Sequence, residues 1–310
     1  ELNSQTSETD RVLANSYLAV KLIKGMEFKT VFGIDNLLVE NKEYRNPLNG
    51  EGARFQGASS AIDGRFKRYN WQNLLNYNVK VKQDHNLSFL LGTEQQKSTR
   101  NSWGADRRIV ADSVYTMIQG AYSTIVPFGN VLSENFLLSY FSRINYDYRK
   151  KYYLSLNARR DGYSAFAPGK KFGNFAGASA GWVISQEDFF IHSKISKVLN
   201  QFQLRASYGK VGNNLGIGDF AFQTLFNSGL NGSNNTLYFA QAGNNNLTWE
   251  TSTKLDIGFS FGLFDNRLSG EFSYYKNEID GLVLDDPQSP SAGIPANSIL
   301  NNIGSMLNKG

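Results

Sequence analysis

The 310-residue chain contains no cysteine and only two histidines. Without cysteine it can form neither disulfide bonds nor thiolate zinc sites, and it has no cysteine nucleophile. The two histidines, His85 and His192, are isolated and match no metal-ligand spacing. These absences exclude disulfide scaffolds and thiol chemistry, and we expect neither a metal site nor a cofactor.

Long apolar runs are also missing. No stretch approaches the roughly 18 uninterrupted apolar residues of a membrane-spanning helix, so such a helix is excluded. The hydrophobic residues, 41% of the chain, are scattered instead, which is compatible with a membrane β-barrel because apolar and polar residues alternate there. The formal net charge of +5, without a block of Lys or Arg, is too small to indicate nucleic-acid binding.

Aromatic residues, asparagine and glycine are abundant. The 22 Phe, 16 Tyr and 4 Trp make up 14% of the chain, and 33 Asn with 29 Gly add another fifth. Aromatic residues favour strands, while Asn and Gly supply the positive φ angles of turns. This composition predicts an all-β fold, although length alone would suggest about two soluble domains.

Strict alternation marks one long strand at 249–261. The apolar and Thr residues of one parity oppose charged or small residues of the other, and successive side chains of a strand point to opposite faces. Thirteen residues at about 3.4 Å each extend roughly 44 Å, whereas soluble strands usually stop after about five or six residues. This length is typical of a tilted membrane-spanning strand.

The same alternation recurs and predicts about ten strands. They lie near 12–23, 26–36, 67–82, 87–95, 136–148, 152–160, 173–184, 201–211, 248–262 and 267–279. Aromatic residues stand near strand ends, where the interfacial girdles of a membrane barrel lie. They are Trp71, Tyr146, Tyr148, Trp182, Trp249 and Phe261.

The connections alternate in length, which is a signal independent of hydrophobicity. One set is tight, at 24–25, 83–86, 149–151 and 265–266, and the other is long and polar, at 37–66, 96–135, 161–172 and 212–247. An up-and-down membrane barrel has this asymmetry, with short periplasmic turns and long extracellular loops. One longer stretch on the short side, 185–200, predicts a brief amphipathic helix.

Two short motifs resemble catalytic signatures. Residues 177–181 match G-x-S-x-G, but they lie inside an alternating strand and lack the helix that a nucleophile elbow requires. Residues 216–221 match G-x-G-x-x-A, but the Asn/Gly-rich stretch that follows cannot form a dinucleotide-binding βαβ unit. The pair Asp285 and Asp286 is better explained as solvated loop charge than as a calcium site. The chain is therefore not expected to be an enzyme.

In a barrel, the polar parity of each strand faces the lumen and forms the functional surface. We predict a ligand-binding wall of mixed charge, suited to a polar, largely uncharged solute or a polar plug. Its candidate residues are Arg143, Asn145, Asp147, Arg159, Arg205, Glu250, Lys254 and Asp256. The alternative for each residue is that it only solvates or braces the lumen.

Several segments also match a known family in sequence. They are SYFSRINYDY at 139–148, RRDG at 159–162, LRASYG at 204–209, LTWE at 247–250, FDNRLSG at 264–270 and NIGSM at 302–306. Together, and in this order, they resemble the barrel of SusC/RagA-type TonB-dependent outer-membrane proteins over about 136–310, with a looser fit before that.

The resemblance implies a transmembrane antiparallel up-and-down β-barrel of about 22 strands, of which about ten are visible. Residues 1–310 would then be part of one barrel domain, incomplete at both ends and without the plug domain. It also implies an energised importer of glycans or peptides in the outer membrane of a Gram-negative cell. TonB would act through the plug, and a SusD-like lipoprotein would close over the long loops.

Two other functions remain open from the sequence. A passive porin or structural outer-membrane barrel would have the same strands and loops without TonB coupling. A soluble β-sandwich that binds a ligand would also alternate, although the strand lengths and the loop asymmetry argue against it.

Overall fold

The computed structural model of the protein describes residues 3–214 and 216–310, apart from the side chains of residues 130–132. Strands dominate it. They are β1 (Ser4–Ile23), β2 (Met26–Arg45), β3 (Ala58–Val81), β4 (His85–Val110), β5 (Tyr122–Tyr148), β6 (Tyr152–Tyr163), β7 (Phe172–Val183), β8 (Leu199–Asn213), β9 (Leu225–Asn231), β10 (Asn234–Gln241), β11 (Glu250–Leu263), β12 (Leu268–Pro287) and β13 (Ser298–Lys309). The helices are short: α1 (Gly50–Arg54), α2 (Asp188–Ile191) and 3-10 turns at Ile184–Gln186, Lys194–Lys197, Pro290–Ala292 and Pro295–Asn297.

Eleven strands form one sheet in an up-and-down order. It runs from β1 to β8 and continues with β11, β12 and β13, while β9 and β10 pair with each other as a separate antiparallel hairpin. The pairing between β11 and β12 is antiparallel and in register over 13 residue pairs, from Thr251–Asp280 to Leu263–Leu268. In the described part of the chain, no helix combines the length and apolarity that crossing a membrane requires.

All ten predicted strands are present, but their extent is wrong at the long-loop end. Segments 37–66 and 96–135, predicted as loops, are mostly strand, which leaves connections of only 46–57 and 111–121. The added strand lengths mix polar and apolar residues on both parities, as at 37–39 and 122–128, so hydrophobic alternation does not reveal them. Strands β9, β10 and β13 are not among the predicted strands.

The predicted tight turns are confirmed. Gly25, between β1 and β2, has a φ of 82°, and an added Cβ would lie 2.2 Å from the carbonyl oxygen of Asn78. The β5–β6 turn instead places Arg149 and Lys150 at positive φ, although neither is glycine. The expected amphipathic helix at 185–200 is found as α2 flanked by two 3-10 turns.

The chain divides into two compact units, the first of which comprises residues 1–17, 31–71 and 95–136. Within it, the buried Tyr44 donates its hydroxyl to the carbonyl oxygen of Ser113 at 2.9 Å. The Arg107 guanidinium donates to the carbonyl oxygens of Ile118 and Tyr122 and lies 5.4 Å from the centre of the Tyr122 ring. Tyr44 thus fastens the 111–121 connection to β2, and Arg107 fastens it to β4.

The second unit comprises residues 18–30, 72–94 and 137–310, and it contains the described hydrophobic core. The core lies where the 164–171 and 214–249 connections meet the strand ends. Its buried members are Tyr163, Ala165, Phe166, Phe175, Ile217, Ala221, Leu247 and Trp249. Two of them, Ile217 and Ala221, belong to the G-x-G-x-x-A motif. The motif lies in a loop, as predicted, but this loop is packed into the core.

Trp249 does not belong to an interfacial girdle. Its side chain is buried, with its ring 5.3 Å from that of Phe166 and 5.6 Å from that of Phe175. Its indole N–H donates to the carbonyl oxygen of Lys171 at 2.9 Å. The prediction is wrong here because β11 begins only at Glu250, so the alternation does not extend to Trp249. Its ring instead packs on Phe175, the register partner of Arg159.

Two other predicted girdle residues, Tyr148 and Trp182, form an aromatic row together with Tyr152 at the short-turn end of the sheet. The rings of Tyr148 and Tyr152 stack 6.2 Å apart, and those of Tyr152 and Trp182 likewise stack 6.2 Å apart. The three residues are register partners across β5, β6 and β7, so they share one face of the sheet. We call Tyr148, Tyr152 and Trp182 the aromatic row.

Candidate functional site

The strand register places the predicted polar residues on one face of the sheet. Asn145 of β5 is paired with Ser155 of β6, which is paired with Ser179 of β7. That row continues through Ser207 of β8 to Asp256 of β11. Directly paired residues point to the same side of a sheet. All eight candidates have the parity of this row, so they lie on the same face, which we call the polar face.

Four candidates line a common cavity on this face. It has a volume of about 630 Å³ and is bordered by Asn145, Asp147, Arg205 and Asp256. The intervening row positions carry small hydroxyl side chains, Ser155, Ser179 and Ser207. The cavity therefore exists because the centre of the wall has short side chains while charged groups stand at its sides.

Arg205 connects three strands beside this cavity. Its guanidinium donates to the carboxylate of Glu271 on β12, and its Nε lies 3.8 Å from a carboxylate oxygen of Asp256 on β11. All three side chains are at least partly exposed. Glu271 was not among the predicted residues, although it has the parity that would have placed it on the polar face.

The other cavity candidates have neutral partners. Asp147 accepts a hydrogen bond from the Asn86 amide at 2.8 Å, and Asn145 accepts one from the Ser155 hydroxyl at 2.7 Å. Charges of both signs therefore border the cavity, since Asp147 and Asp256 are opposed by Arg205. Such a wall can hydrogen-bond a polar, uncharged solute without strongly favouring either ion sign.

Arg159 lies in a denser charged network on the same face. Its Nε donates to both carboxylate oxygens of Asp161, at 2.6 and 2.8 Å. Its Nη2 donates to Ser139 at 2.8 Å and to Glu94 at 3.3 Å, and Gln72 donates to the other oxygen of Glu94. Because two carboxylates and a hydroxyl engage this one guanidinium, its geometry indicates a brace between β4, β5 and β6.

Glu250 is also committed to internal contacts. The residue is 7% exposed, and its carboxylate accepts hydrogen bonds from the backbone N–H of Val283 at 2.8 Å and from the amide of Asn213 at 2.6 Å. The pairing register between β12 and β13 shifts between Asp280 and Val283, and this bulge contains Gly281 at a φ of 66°. The carboxylate thus satisfies a backbone donor next to a bulge.

The last two candidates, Arg143 and Lys254, lie in one row of the polar face and are exposed. Register connects them through Asn157, Gly177 and Gly209. A Cβ added to Gly209 would lie 3.1 Å from the Cα of Gly177, so β7 and β8 approach closely here. The glycine that opens the G-x-S-x-G match, Gly177, therefore has a packing role.

A sheet of up-and-down strands with one polar, charged face is typical of the wall of a membrane β-barrel. Comparison with known proteins agrees. The family described as "TonB dependent receptor-like, beta-barrel" matches residues 14–310. The chain belongs to this family. The fold class and the resemblance to SusC/RagA-type proteins predicted from the sequence are thereby confirmed.

Individual relatives support the same assignment. The chain is 33% identical to TonB-dependent receptor P3 of Formosa agariphila, with 98% of this chain and 30% of that receptor covered. It is 30% identical to TonB-dependent receptor SusC of Bacteroides thetaiotaomicron, with 76% of this chain and 24% of SusC covered. The solved structure of the RagAB peptide transporter matches with a TM-score of 0.90 and 26% identity over 99% of this chain and 34% of the transporter chain. The chain thus spans about a third or less of the length of these relatives.

Proposed function

We propose that this chain is part of a TonB-dependent transporter that imports glycans or peptides across the outer membrane of a Gram-negative cell. The observation that carries the proposal is the structural match to the RagAB peptide transporter along nearly the whole chain. The sequence identity to SusC supports it independently. TonB would act through a plug, and a SusD-like surface lipoprotein would be the partner at the long-loop end. We infer no enzymatic activity.

The polar face would be the lumenal wall of this transporter. Its mixed charges and hydroxyl groups suit glycans and peptides, which are rich in polar uncharged groups. Asn145, Asp147, Arg205 and Asp256 are the candidate contacts, because they border the cavity with at least part of each side chain accessible. Arg159 and Glu250 would act mainly by bracing the wall.

A pair of substitutions on adjacent residues tests the role of the polar face. In the full-length receptor, Ser179→Phe would place a large ring in the cavity, while Ala178→Phe would place the same ring on the opposite face. We expect the first variant to reduce uptake of a glycan or peptide substrate at least several-fold and the second to leave it near the wild-type level. Equal uptake by two folded variants would show that the polar face does not line the passage.

Deletion of TonB in the same cells separates the proposal from a passive porin. Substrate uptake by the wild-type receptor should then fall to the level of cells that lack the receptor. Uptake that persists without TonB, together with ion conductance of the purified receptor, would favour the passive barrel instead.

A further inference from the structure

The connection between β7 and β8 differs from the other connections at its end of the sheet. The neighbouring turns, 149–151 and 264–267, are three and four residues long, whereas residues 184–198 contain α2 and two 3-10 turns. We call residues 184–198 the helical connection. A tight turn would suffice to join two antiparallel strands, so its added length calls for a separate explanation.

The helical connection exposes most of its large apolar side chains. Phe189, Ile191 and Ile195 are 64%, 53% and 61% exposed, and Val198 is also exposed, while Phe190 is buried. Four exposed large apolar residues within ten positions are an unusually high density for a surface that contacts only water. These side chains lack a covering partner in the described part of the chain.

Contacts with the aromatic row fix where the helical connection begins. Glu187 accepts a hydrogen bond from the indole N–H of Trp182 at 3.0 Å and forms an ion pair with Lys151 at 3.2 Å. Side chains alternate along β7, and Ser179 lies on the polar face, so Trp182, three residues further on, lies on the opposite face. The helical connection therefore starts beside the face on which a membrane barrel contacts lipid.

Positive charge accompanies the exposed apolar side chains. Lys194 and Lys197 lie in the helical connection and Lys150 lies in the adjacent turn; all three are exposed and have no acidic partner within 4.0 Å among the described residues. By contrast, Arg149 and Lys151 are paired with Asp84 and Glu187. Lysines beside an apolar patch are typical of interfacial segments that bind anionic lipid.

We propose that the helical connection inserts Phe189, Ile191 and Ile195 into the membrane leaflet at the short-turn end and binds anionic phospholipid headgroups through Lys150, Lys194 and Lys197. The aromatic row continues this contact along the strands, as Tyr and Trp favour the level of the headgroups. The inference rests on the membrane location under Proposed function. It adds a lipid-binding element that a plain strand-to-strand turn would not provide.

Quenching by spin-labelled lipids tests the insertion. The full-length receptor, in a cysteine-free background and carrying Ile195→Cys with a fluorophore, is placed in nanodiscs of phosphatidylcholine containing doxyl-labelled phosphatidylcholine or phosphatidylglycerol. We expect both labelled lipids to quench the probe. A probe at exposed Leu230 of the β9–β10 hairpin should not be quenched, and absence of quenching at position 195 would overturn the proposal.

A third probe distinguishes failure of this inference from failure of the membrane assignment. Ile257 of β11 is exposed on the apolar parity, and a label there should be quenched if the strands contact lipid at all. Quenching at 257 without quenching at 195 would reject only the helical connection. Absence of quenching at both positions would reject the membrane location itself.

The headgroup preference is tested with Lys194→Gln and Lys197→Gln. Each lysine near an anionic surface contributes about fivefold to binding, so the double variant should lose the preference for phosphatidylglycerol over phosphatidylcholine by tenfold or more. Quenching by phosphatidylcholine should persist. An unchanged preference, or full competition by millimolar glycerophosphoglycerol, the headgroup without acyl chains, would contradict a lipid site.

Discussion

Glu250 illustrates how a residue on the polar face can serve the fold instead of a ligand. Sequence parity correctly placed it on the face shared by the other candidates. The parity did not indicate that Glu250 is buried. Its burial depends on the bulge at Gly281, which frees the N–H of Val283 and cannot be recognised from the alternation of residues in the sequence. A carboxylate that is only 7% exposed and already accepts two internal hydrogen bonds offers little surface to a solute.

Replacing Glu250 should therefore destabilise the protein. Glu250→Ala would leave the Val283 N–H and the Asn213 amide without their acceptor, at a cost of about 1–3 kcal/mol for each unsatisfied group. Glu250→Gln keeps one acceptor oxygen and should cost less. Thermal unfolding of the full-length receptor in detergent would measure both, and an Ala variant as stable as wild type would contradict this role.

Glu187 gives a second residue-scale prediction, on pH. Hydrogen bonds from Tyr152 and Trp182, with a further contribution from Lys151, lower the pKa of its carboxyl below the usual range. A carboxyl with a lowered pKa in the folded state stabilises the protein above its ordinary pKa of about 4.3, and this stabilisation is lost as the pH falls through the folded value.

We expect wild type to be more stable than Glu187→Gln at pH 7, with the difference shrinking as the pH drops below about 4. Unfolding curves from pH 7 to 3 would show the convergence. Gln186→Ala, at an exposed neutral neighbour, removes no titratable group and provides a control whose pH profile should follow that of wild type. A constant difference between wild type and Glu187→Gln at all pH values would contradict the assignment.

At the scale of strands, the sequence predicted that a strand exists, and which residues share a face of it, better than it predicted how long the strand is. The middle of β11 alternates regularly, so its parity follows from side-chain type alone. The outer part of β4, residues 96–110, carries polar groups on both sides and is held by backbone pairing that no side-chain pattern reveals. The β13 strand was missed because Ile299 and Leu300 are adjacent, as are Met306 and Leu307, and this breaks the alternation.

The two faces of β11 should respond differently to an added charge. Ile257→Lys should cost about 2–4 kcal/mol if the residue faces lipid near mid-depth, because lysine is poorly solvated there. Asp256→Lys, one residue away on the polar face, should cost much less. Unfolding of the full-length receptor refolded into lipid vesicles would measure both, and equal penalties would reject the parity assignment.

At the scale of the molecule, sequence reasoning recovered the family and the polar face but not the organisation of the loops. Residues 212–247 were predicted as one long polar loop, yet they contain the β9–β10 hairpin and contribute Ile217, Ala221 and Leu247 to the core. These contacts join residues distant in sequence, and they depend on how the strand ends are arranged. A local pattern carries no record of that arrangement.

The hairpin supplies a molecule-scale prediction about the proposed lipoprotein partner. Leu230 and Leu237 are exposed on the hairpin face that also holds the paired Phe226 and Phe239, while exposed Tyr238 lies on the opposite face. We expect Leu230→Asp with Leu237→Asp to reduce co-purification of a SusD-like lipoprotein with the full-length receptor, because a charge would enter an apolar contact. Tyr238→Asp is the matched control.

Retention of the lipoprotein by the double variant, at the wild-type ratio, would place its contact elsewhere on the receptor. Loss of the lipoprotein from both the double variant and the control would point to general disruption of the hairpin. Limited proteolysis at the hairpin would identify that case.

The row formed by Ser155, Ser179 and Ser207 has an evolutionary consequence. Each hydroxyl-bearing residue stands between neighbours in its strand that point to the other face, so it can change in volume without altering the lipid-facing surface. Clearance along the wall can thus be adjusted one codon at a time while the barrel keeps its fit to the membrane. In the proposed transporter, a substitution in this row would change the space for a cargo while the strand pairing and the opposite face stay the same.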